Sequence, residues 1–440
     1  VLKQYPTAKS SVLGNGLKIV SEPSNSDQVT VGVAINAGSR YEREDNNGVA
    51  HFLEHLMFKG TGKRTRTQLE SEVEQMGAQL NAYTTRETTL FYITAFKKDA
   101  DQAVDIISDM VLNSKLSASS VDEERGVILR EAEDVESKLQ EVIFERLHQT
   151  AYRGTSMARP ILGSEANIKS ITKADVEQYV KTHYVAPRMS LVAAGNIDHG
   201  KLVGLAEKHF SQVPSKAPNG IDAVKPATAF TGSDIRIHED DMPFAHLAYG
   251  FETGGWHDAD NYPLMVLQMI LDSWNHGNTS GIHSSSPLIP AVASQRLAES
   301  ISPFNTIYSD TGLFGVYAVA DATTLDELMT HMPLTITNLV HNLPPELVEE
   351  AKNKLRVALL GSLDGQAAVF DDLARNVAAF GRRLHPLEVL QRVEQVDALQ
   401  IQDVIRRRMY DHDYALAAMG PIFELPDYLM IHRRTWTARI

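Results

Sequence analysis

The chain has 440 residues, 43% of them hydrophobic and 22% charged, with a formal net charge of −14. This is a globular composition with room for two ordinary domains. The absence of cysteine excludes disulfides and thiolate metal ligands, and no apolar run of 18 residues or more offers a membrane span. The acidic balance suits solubility or a cavity that draws in a basic substrate. The basic run Arg406-Arg-Arg408 reads as a solvated helix face, and nothing points to nucleic acid. The chain opens on Val1 with no Arg-rich leader, as expected of a chain that has been trimmed or has lost a targeting segment.

In chain order, Val31-Gly-Val-Ala-Ile-Asn-Ala-Gly38 is strand-like and leads through a polar loop into Gly48-Val-Ala-His-Phe-Leu-Glu-His-Leu-Met-Phe-Lys-Gly60. That segment contains His51-x-x-Glu54-His55, the inverted form of the zinc-protease motif. On a helix, His51 and His55 lie four residues apart on one face. Two imidazoles so placed can share a metal ion, with Glu54 beside them to accept a proton from water. Chance alone gives on the order of 0.05 such matches in a chain of this histidine content, so a third ligand is required. Leu80-Asn-Ala-Tyr-Thr84 alternates like an exposed strand. Ser120 to Glu136 is helical in composition and offers Glu123, Glu124, Glu131, Glu133, Asp134 and Glu136 as carboxylate donors, among which spacing does not choose.

The second half repeats the first. His246-Leu-Ala-Tyr-Gly-Phe-Glu-Thr-Gly254 leads through Trp256–Asp260 into the helical stretch Pro263–Ile270, with Pro263 suited to a first turn. The first half ends with a helix at Asp175–Tyr184 and a strand at Met189–Gly195. The second ends likewise, with Gln400–Tyr410 and Tyr414–Gly420. Pro214-Ser-Lys-Ala-Pro-Asn-Gly220 and Pro226 read as a linker. The fold class expected is α+β, with two homologous domains, each a mixed β-sheet backed by helices. They span residues 1–213 and 230–440, with the linker at 214–229. Superposing the two helices sets Leu264 opposite His51, Leu267 opposite Glu54 and Gln268 opposite His55, so only the first domain carries the chemistry.

Several stretches together resemble the M16 family of inverted-zincin peptidases and, within it, the mitochondrial processing-peptidase branch. They are Asn36–Tyr41, Asn46–His55, Met76–Thr84, Glu124–Glu131, Phe230–Arg236, Tyr308–Gly312 and Gly420-Pro-Ile422. The resemblance implies one Zn²⁺ per chain held by His51, His55 and Glu131, the last lying 76 residues after the second histidine. It implies Glu54 as the catalytic base and Glu124 as a supporting acid. Tyr308 would stabilise the oxyanion from the second domain, although Ile301 stands where many relatives have an arginine. Asn81 and Ala82 would pair with substrate backbone, Phe58 would contact the residue after the cut, and Glu141 with Glu145 would hold an arginine before it.

The same resemblance implies a metalloendopeptidase that removes Arg-containing presequences from imported precursors. It would work in the mitochondrial matrix, or on the matrix face of the inner membrane. Members of the family enclose substrate between four related domains, so a partner is expected: an α-like (core 2-like) processing-peptidase subunit. His276-Gly-Asn-Thr-Ser-Gly281 is too poor in glycine to be that subunit's flexible loop. The competing expectation is a non-catalytic core 1 subunit of respiratory complex III, among partners that include cytochrome b and cytochrome c1.

Overall fold

A computed structural model of the chain describes residues 5–218 and 225–436. Two six-stranded mixed sheets organise it. The first contains β1 (Lys9–Val12), β2 (Lys18–Pro23), β3 (Gln28–Ile35), β4 (Gln79–Thr84), β5 (Thr89–Phe96) and β6 (Met189–Gly195) in the order β1-β2-β6-β3-β5-β4. The second contains β7 (Ser233–His238), β8 (Ala245–Thr253), β9 (Trp274–Asn275), β10 (Ser300–Ile307), β11 (Gly312–Ala320) and β12 (Ala415–Gly420) in the order β7-β12-β8-β11-β10-β9. Each sheet has a single parallel pair, β2 with β6 and β7 with β12, and is otherwise antiparallel. Strand for strand, β2-β6-β3-β5-β4 is repeated as β7-β12-β8-β11-β10. The duplicated α+β architecture is therefore realised in backbone pairing.

The first sheet buries Val29, Val31, Val33 and Ile35 against a helical layer that includes Val49–Met57, Ala100–Asn113 and His199–Phe210. The second buries Leu247, Tyr249 and Phe251 against Asn261–Leu271, Leu325–Asn338 and Ala398–Arg408. Burial of such apolar faces is worth roughly 25 cal/mol per Å² and dominates the stability of each layer.

The compact units are not contiguous halves. One comprises residues 1–134, 159–227 and 360–387, and the other 135–158, 228–359 and 388–440. The helix Leu139–Ala151 packs Ile143, Leu147 and Ala151 on Ala248, Ala415 and Ala417 of the second sheet. In return, the helix Gln366–Phe380 packs Phe370, Leu373, Ala374 and Val377 on Val20, Ala34, Val192 and Ala194 of the first. Each sheet has two apolar faces, and a helix from the other half of the sequence covers one of them. This departs from the expected contiguous domains 1–213 and 230–440. The linker expected at 214–229 runs through residues 219–224, which lie outside the described residues, as do 1–4 and 437–440.

Among the described residues no helix is long and apolar enough to cross a membrane. The basic run is more engaged than a solvated face. Arg407 pairs with Asp260 and Asp403, and Arg408 with Asp258 and Asp260, tying the helix Ala398–Arg408 to the start of Asn261–Leu271.

Candidate metal centre

The segment that carries the histidines is helical over Val49–Met57, with Val49, Phe52, Leu53 and Leu56 buried on its core side. Its first residues are held from outside the helix. Gly48 stands at the N-cap with φ +104° and has no side chain to cap with. Glu42 takes that role, accepting from the N–H groups of Gly48 (2.8 Å) and Ala50 (2.7 Å) and from Asn47 Nδ2 (2.7 Å). Two orphan donors of the first turn are thereby satisfied by one buried carboxylate.

On the other face the rings of His51 and His55 lie 4.8 Å apart. Glu131, from the helix Ala118–Glu136, sits against both, with Oε1 3.6 Å from His51 Nε2 and Oε2 3.1 Å from His55 Nε2. These three residues form the one group of potential metal donors among the described residues, with ligand atoms all within 4.8 Å of one another. The His51 ring, and next that of His55, hold the Glu131 carboxyl far below the ordinary value. Burial opposes a charged His55, but Glu131 and Glu124 together outweigh it and raise its pKa. His55 Nδ1 lies 3.2 Å from Glu124 Oε2, whereas the buried Nδ1 of His51 has no hydrogen-bond partner among the described residues.

Glu54, half-buried on the same helix, accepts the hydroxyl proton of Thr84 at 2.6 Å through Oε2. Beside it is the buried hydroxyl of Tyr184, which has no hydrogen-bond partner among the described residues. Burial, and next the Glu54 charge, push that phenol well above its ordinary value.

The other expected residues are distributed as follows. Asn81 is exposed and Ala82 half-buried on β4, which among the described residues is an edge strand paired with β5. Phe58 is half-buried and packs against the apolar core of the first unit. Glu141 is exposed and paired with Lys138 at 3.4 Å, and Glu145 lies one turn on. Both belong to the helix Leu139–Ala151, hence to the second unit. Tyr308 also belongs there. His148 Nδ1 donates to the Phe144 carbonyl (2.7 Å), leaving Nε2 to accept from the Tyr308 hydroxyl (2.7 Å). The Tyr308 proton, expected to face an oxyanion, is thus directed at His148. In the repeated helix Asn261–Leu271, Leu264 and Leu267 are fully buried and Gln268 donates to the Pro303 carbonyl, so no donor set exists there.

Glu42, Lys59, Thr84 and Tyr184 were not singled out from sequence. Lys59, whose ammonium contacts Glu124 Oε1, had a readable signal, because it continues the four-residue spacing of His51 and His55.

Residues 18–165 match the family model described as "Insulinase (Peptidase family M16)", and residues 170–355 match "Peptidase M16 inactive domain". The mitochondrial-processing peptidase subunit beta of Bos taurus is 43% identical over 431 residues, covering 98% of this chain and 88% of that protein. The same subunit of Lentinula edodes is 44% identical, covering 96% and 92%. The cytochrome b-c1 complex subunit 1 of Mus musculus is 42% identical, covering 97% and 89%. A chain in the solved structure "Complex III2 from Candida albicans, Inz-5 bound" shares the fold, with a TM-score of 0.87 at 22% identity, covering 98% of this chain and 100% of that one. With relatives above 40% identity across nearly its whole length, and its active-type and inactive-type domains both matched, the chain belongs to the metallopeptidase family M16.

Proposed function

We propose that this chain is the zinc-bearing, β-like subunit of a mitochondrial processing peptidase, cleaving N-terminal presequences from imported precursors. The observation that carries the reading is the convergence of His51, His55 and Glu131 within 4.8 Å, with Glu54 on the same helix. The donor set suits Zn²⁺. Two ligands of a tetrahedral ion bound at about 2.0–2.1 Å stand about 3.3 Å apart, and the two His–Glu pairs here stand at 3.6 and 3.1 Å. His51, His55 and Glu131 would hold the ion, which when bound would polarise the scissile carbonyl and acidify a water.

The remaining work falls to the chain's own residues. Glu54 takes the proton of the attacking water and returns it to the leaving amine nitrogen. Thr84 engages Glu54 Oε2 and so leaves Oε1 for that proton. Glu124 fixes the His55 ring through Nδ1. The free edge of β4, at Asn81 and Ala82, pairs with the extended peptide by strand addition. Phe58 meets the residue after the cut. Glu141 and Glu145 bind a presequence arginine, and the net charge of −14 favours such a basic peptide. Tyr308 serves the oxyanion by exchanging His148 for it. The α-like subunit completes the chamber, in the matrix.

A second reading rests on the 42% identity to a cytochrome b-c1 complex subunit. On it the same chain is a core 1 subunit at the matrix face of the inner membrane, with or without peptidase activity, among partners that include cytochrome b and cytochrome c1.

The test is cleavage of an Arg-containing presequence peptide by the purified chain, alone and with an α-like partner, with and without chelator. Cleavage that needs the partner, stops with chelator and is lost in Glu54→Gln at unchanged zinc content supports the proposal. Undiminished cleavage by Glu54→Gln overturns the mechanism. Cleavage by the lone chain overturns the partner requirement. Copurification with cytochromes, without cleavage, favours the second reading.

A further inference from the structure

One turn past His55, and two residues beyond the end of the helix, the chain places a lysine. Lys59 follows His55 by the same four residues that separate His55 from His51, and side chains so spaced line one side of a helical path. Past Met57 the chain tightens into a turn, with Phe58 N–H on the His55 carbonyl and Lys59 N–H on that of Leu56, each three residues back. Gly60 then turns the chain with φ +102°. A Cβ there would come within 2.9 Å of the Arg64 carbonyl oxygen and 3.0 Å of Arg66 N. The point from which the Lys59 side chain departs is thus fixed by the turn.

That side chain ends on Glu124. The ammonium contacts Oε1, and the other oxygen, Oε2, lies 3.2 Å from His55 Nδ1. Glu124 is 3% exposed, and its side-chain partners among the described residues are these two, one for each oxygen. A carboxylate so buried costs several kcal/mol unless a cation compensates it. Here a second carboxylate, Glu131, stands on the far side of the same imidazole, which makes the need for a cation greater.

We propose that Lys59 is a positioning residue for the metal centre. Its ammonium pins Glu124 Oε1, and Glu124 Oε2 then accepts the Nδ1 proton of His55. With Nδ1 so engaged, the ring presents Nε2 to the cluster. Without Lys59, Glu124 loses its counter-charge and turns toward water, and His55 becomes free to rotate. The purely structural alternative is a tie between the end of the helix Val49–Met57 and the helix Ala118–Glu136. Such a tie would cost stability but leave the metal affinity of the folded protein untouched.

The inference rests on the zinc reading of His51, His55 and Glu131, and the experiment separates the two. Zinc affinity is measured on the full chain by competition with a chromophoric chelator for wild type, Lys59→Gln, Lys59→Arg, Glu124→Gln and the Lys59→Gln/Glu124→Gln double variant. Thermal midpoints of the metal-free proteins are recorded alongside. Lys59→Gln is expected to bind zinc about 10- to 100-fold more weakly. Lys59→Arg, which keeps the cation, recovers most of that loss. Because Lys59 acts through Glu124, the double variant binds no more weakly than Glu124→Gln alone. Wild-type affinity in Lys59→Gln, or fully additive losses in the double variant, overturns the proposal. Should Lys59→Gln fail to fold, the comparison of Glu124→Gln with the double variant, in which the buried charge is gone, decides the question. If wild type itself takes up no zinc, the metal reading falls and the role of Lys59 falls with it.

Discussion

Thr84, the last residue of β4, donates its hydroxyl to Glu54 Oε2 at 2.6 Å. One hydrogen bond therefore joins the edge strand, proposed to hold the peptide, to the carboxylate proposed to move the proton. A hydrogen bond to a charged group is worth about 1.5–3 kcal/mol, and under the proposed mechanism it leaves Oε1 for the water. Thr84→Val keeps the shape and the β-branched preference for a strand while deleting the donor. Its kcat is expected to fall about 10-fold or more, with KM and zinc content little changed, while Thr84→Ser stays near wild type. A kcat equal to wild type in Thr84→Val would show that Glu54 does not depend on this strand.

Glu42 supports the histidine helix from behind. All three of its neighbours at the helix start are donors: Gly48 N–H, Ala50 N–H and Asn47 Nδ2. Glu42→Gln keeps the size but puts an NH₂ group where one oxygen accepted, so a buried N–H meets a donor. The expected cost is about 2–3 kcal/mol, read as a lower urea midpoint for the unit that carries the histidines. A midpoint unchanged within error would mean that the helix is capped another way.

Acid sensitivity has an identifiable source in the same unit. Arg64 donates to Asp105 (2.6 Å), Asp109 (2.9 Å) and Glu72 (2.9 Å), and Lys63 reaches Asp105 at 3.3 Å. Burial pushes the Asp105 carboxyl up, but the Arg64 and Lys63 hydrogen bonds outweigh it and hold the pKa below the ordinary 3.8. A depressed carboxyl contributes stability that is present above its unfolded value and lost as pH falls through its folded one. Wild type is thus expected to lose stability below about pH 4. Arg64→Met should be less stable at pH 7 and should show a shallower acid limb. Urea midpoints at pH 7, 5 and 3 measure this, and equal acid limbs in the two proteins would remove Asp105 from the account.

The parts of the molecule that were legible in sequence are local or repeated. His51, Glu54 and His55 share one helical turn, and the repeat offset is visible because strand, loop and helix recur in the same order. The exchange of Leu139–Ala151 for Gln366–Phe380 was not legible, since an amphipathic helix carries no mark of which sheet it will cover. Long-range pairing hid the rest. Arg407 and Arg408 look like a solvated run until Asp258 and Asp260, about 150 residues earlier, come to meet them. Glu42 carries no local signal because it caps from six residues before Gly48, outside the usual capping positions. Thr84 mattered only once β4 ended beside Glu54. Lys59, by contrast, is marked in the sequence by the same spacing that pairs the histidines.

The exchanged helix Gln366–Phe380 is anchored by a buried ion pair just past its end. Arg383 Nε lies 2.7 Å from Glu22 Oε2 on β2, with side chains 5% and 3% exposed, and Nη1 contacts Asp372 on the helix itself. Removing one member of a buried pair leaves the other charge uncompensated, at a cost of about 3–5 kcal/mol, whereas replacing both with apolar groups can be nearly neutral. Arg383→Met is therefore expected to loosen this helix from the first sheet, seen as faster amide exchange over residues 366–380 and earlier proteolysis within 360–387. Glu22→Met/Arg383→Met should recover much of the protection, because no buried charge is then left alone. If amide exchange over 366–380 is as slow in Arg383→Met as in wild type, the apolar contacts of Phe370, Leu373 and Val377 hold the helix without the ion pair. Its buried charges would then serve to select this sheet over the other.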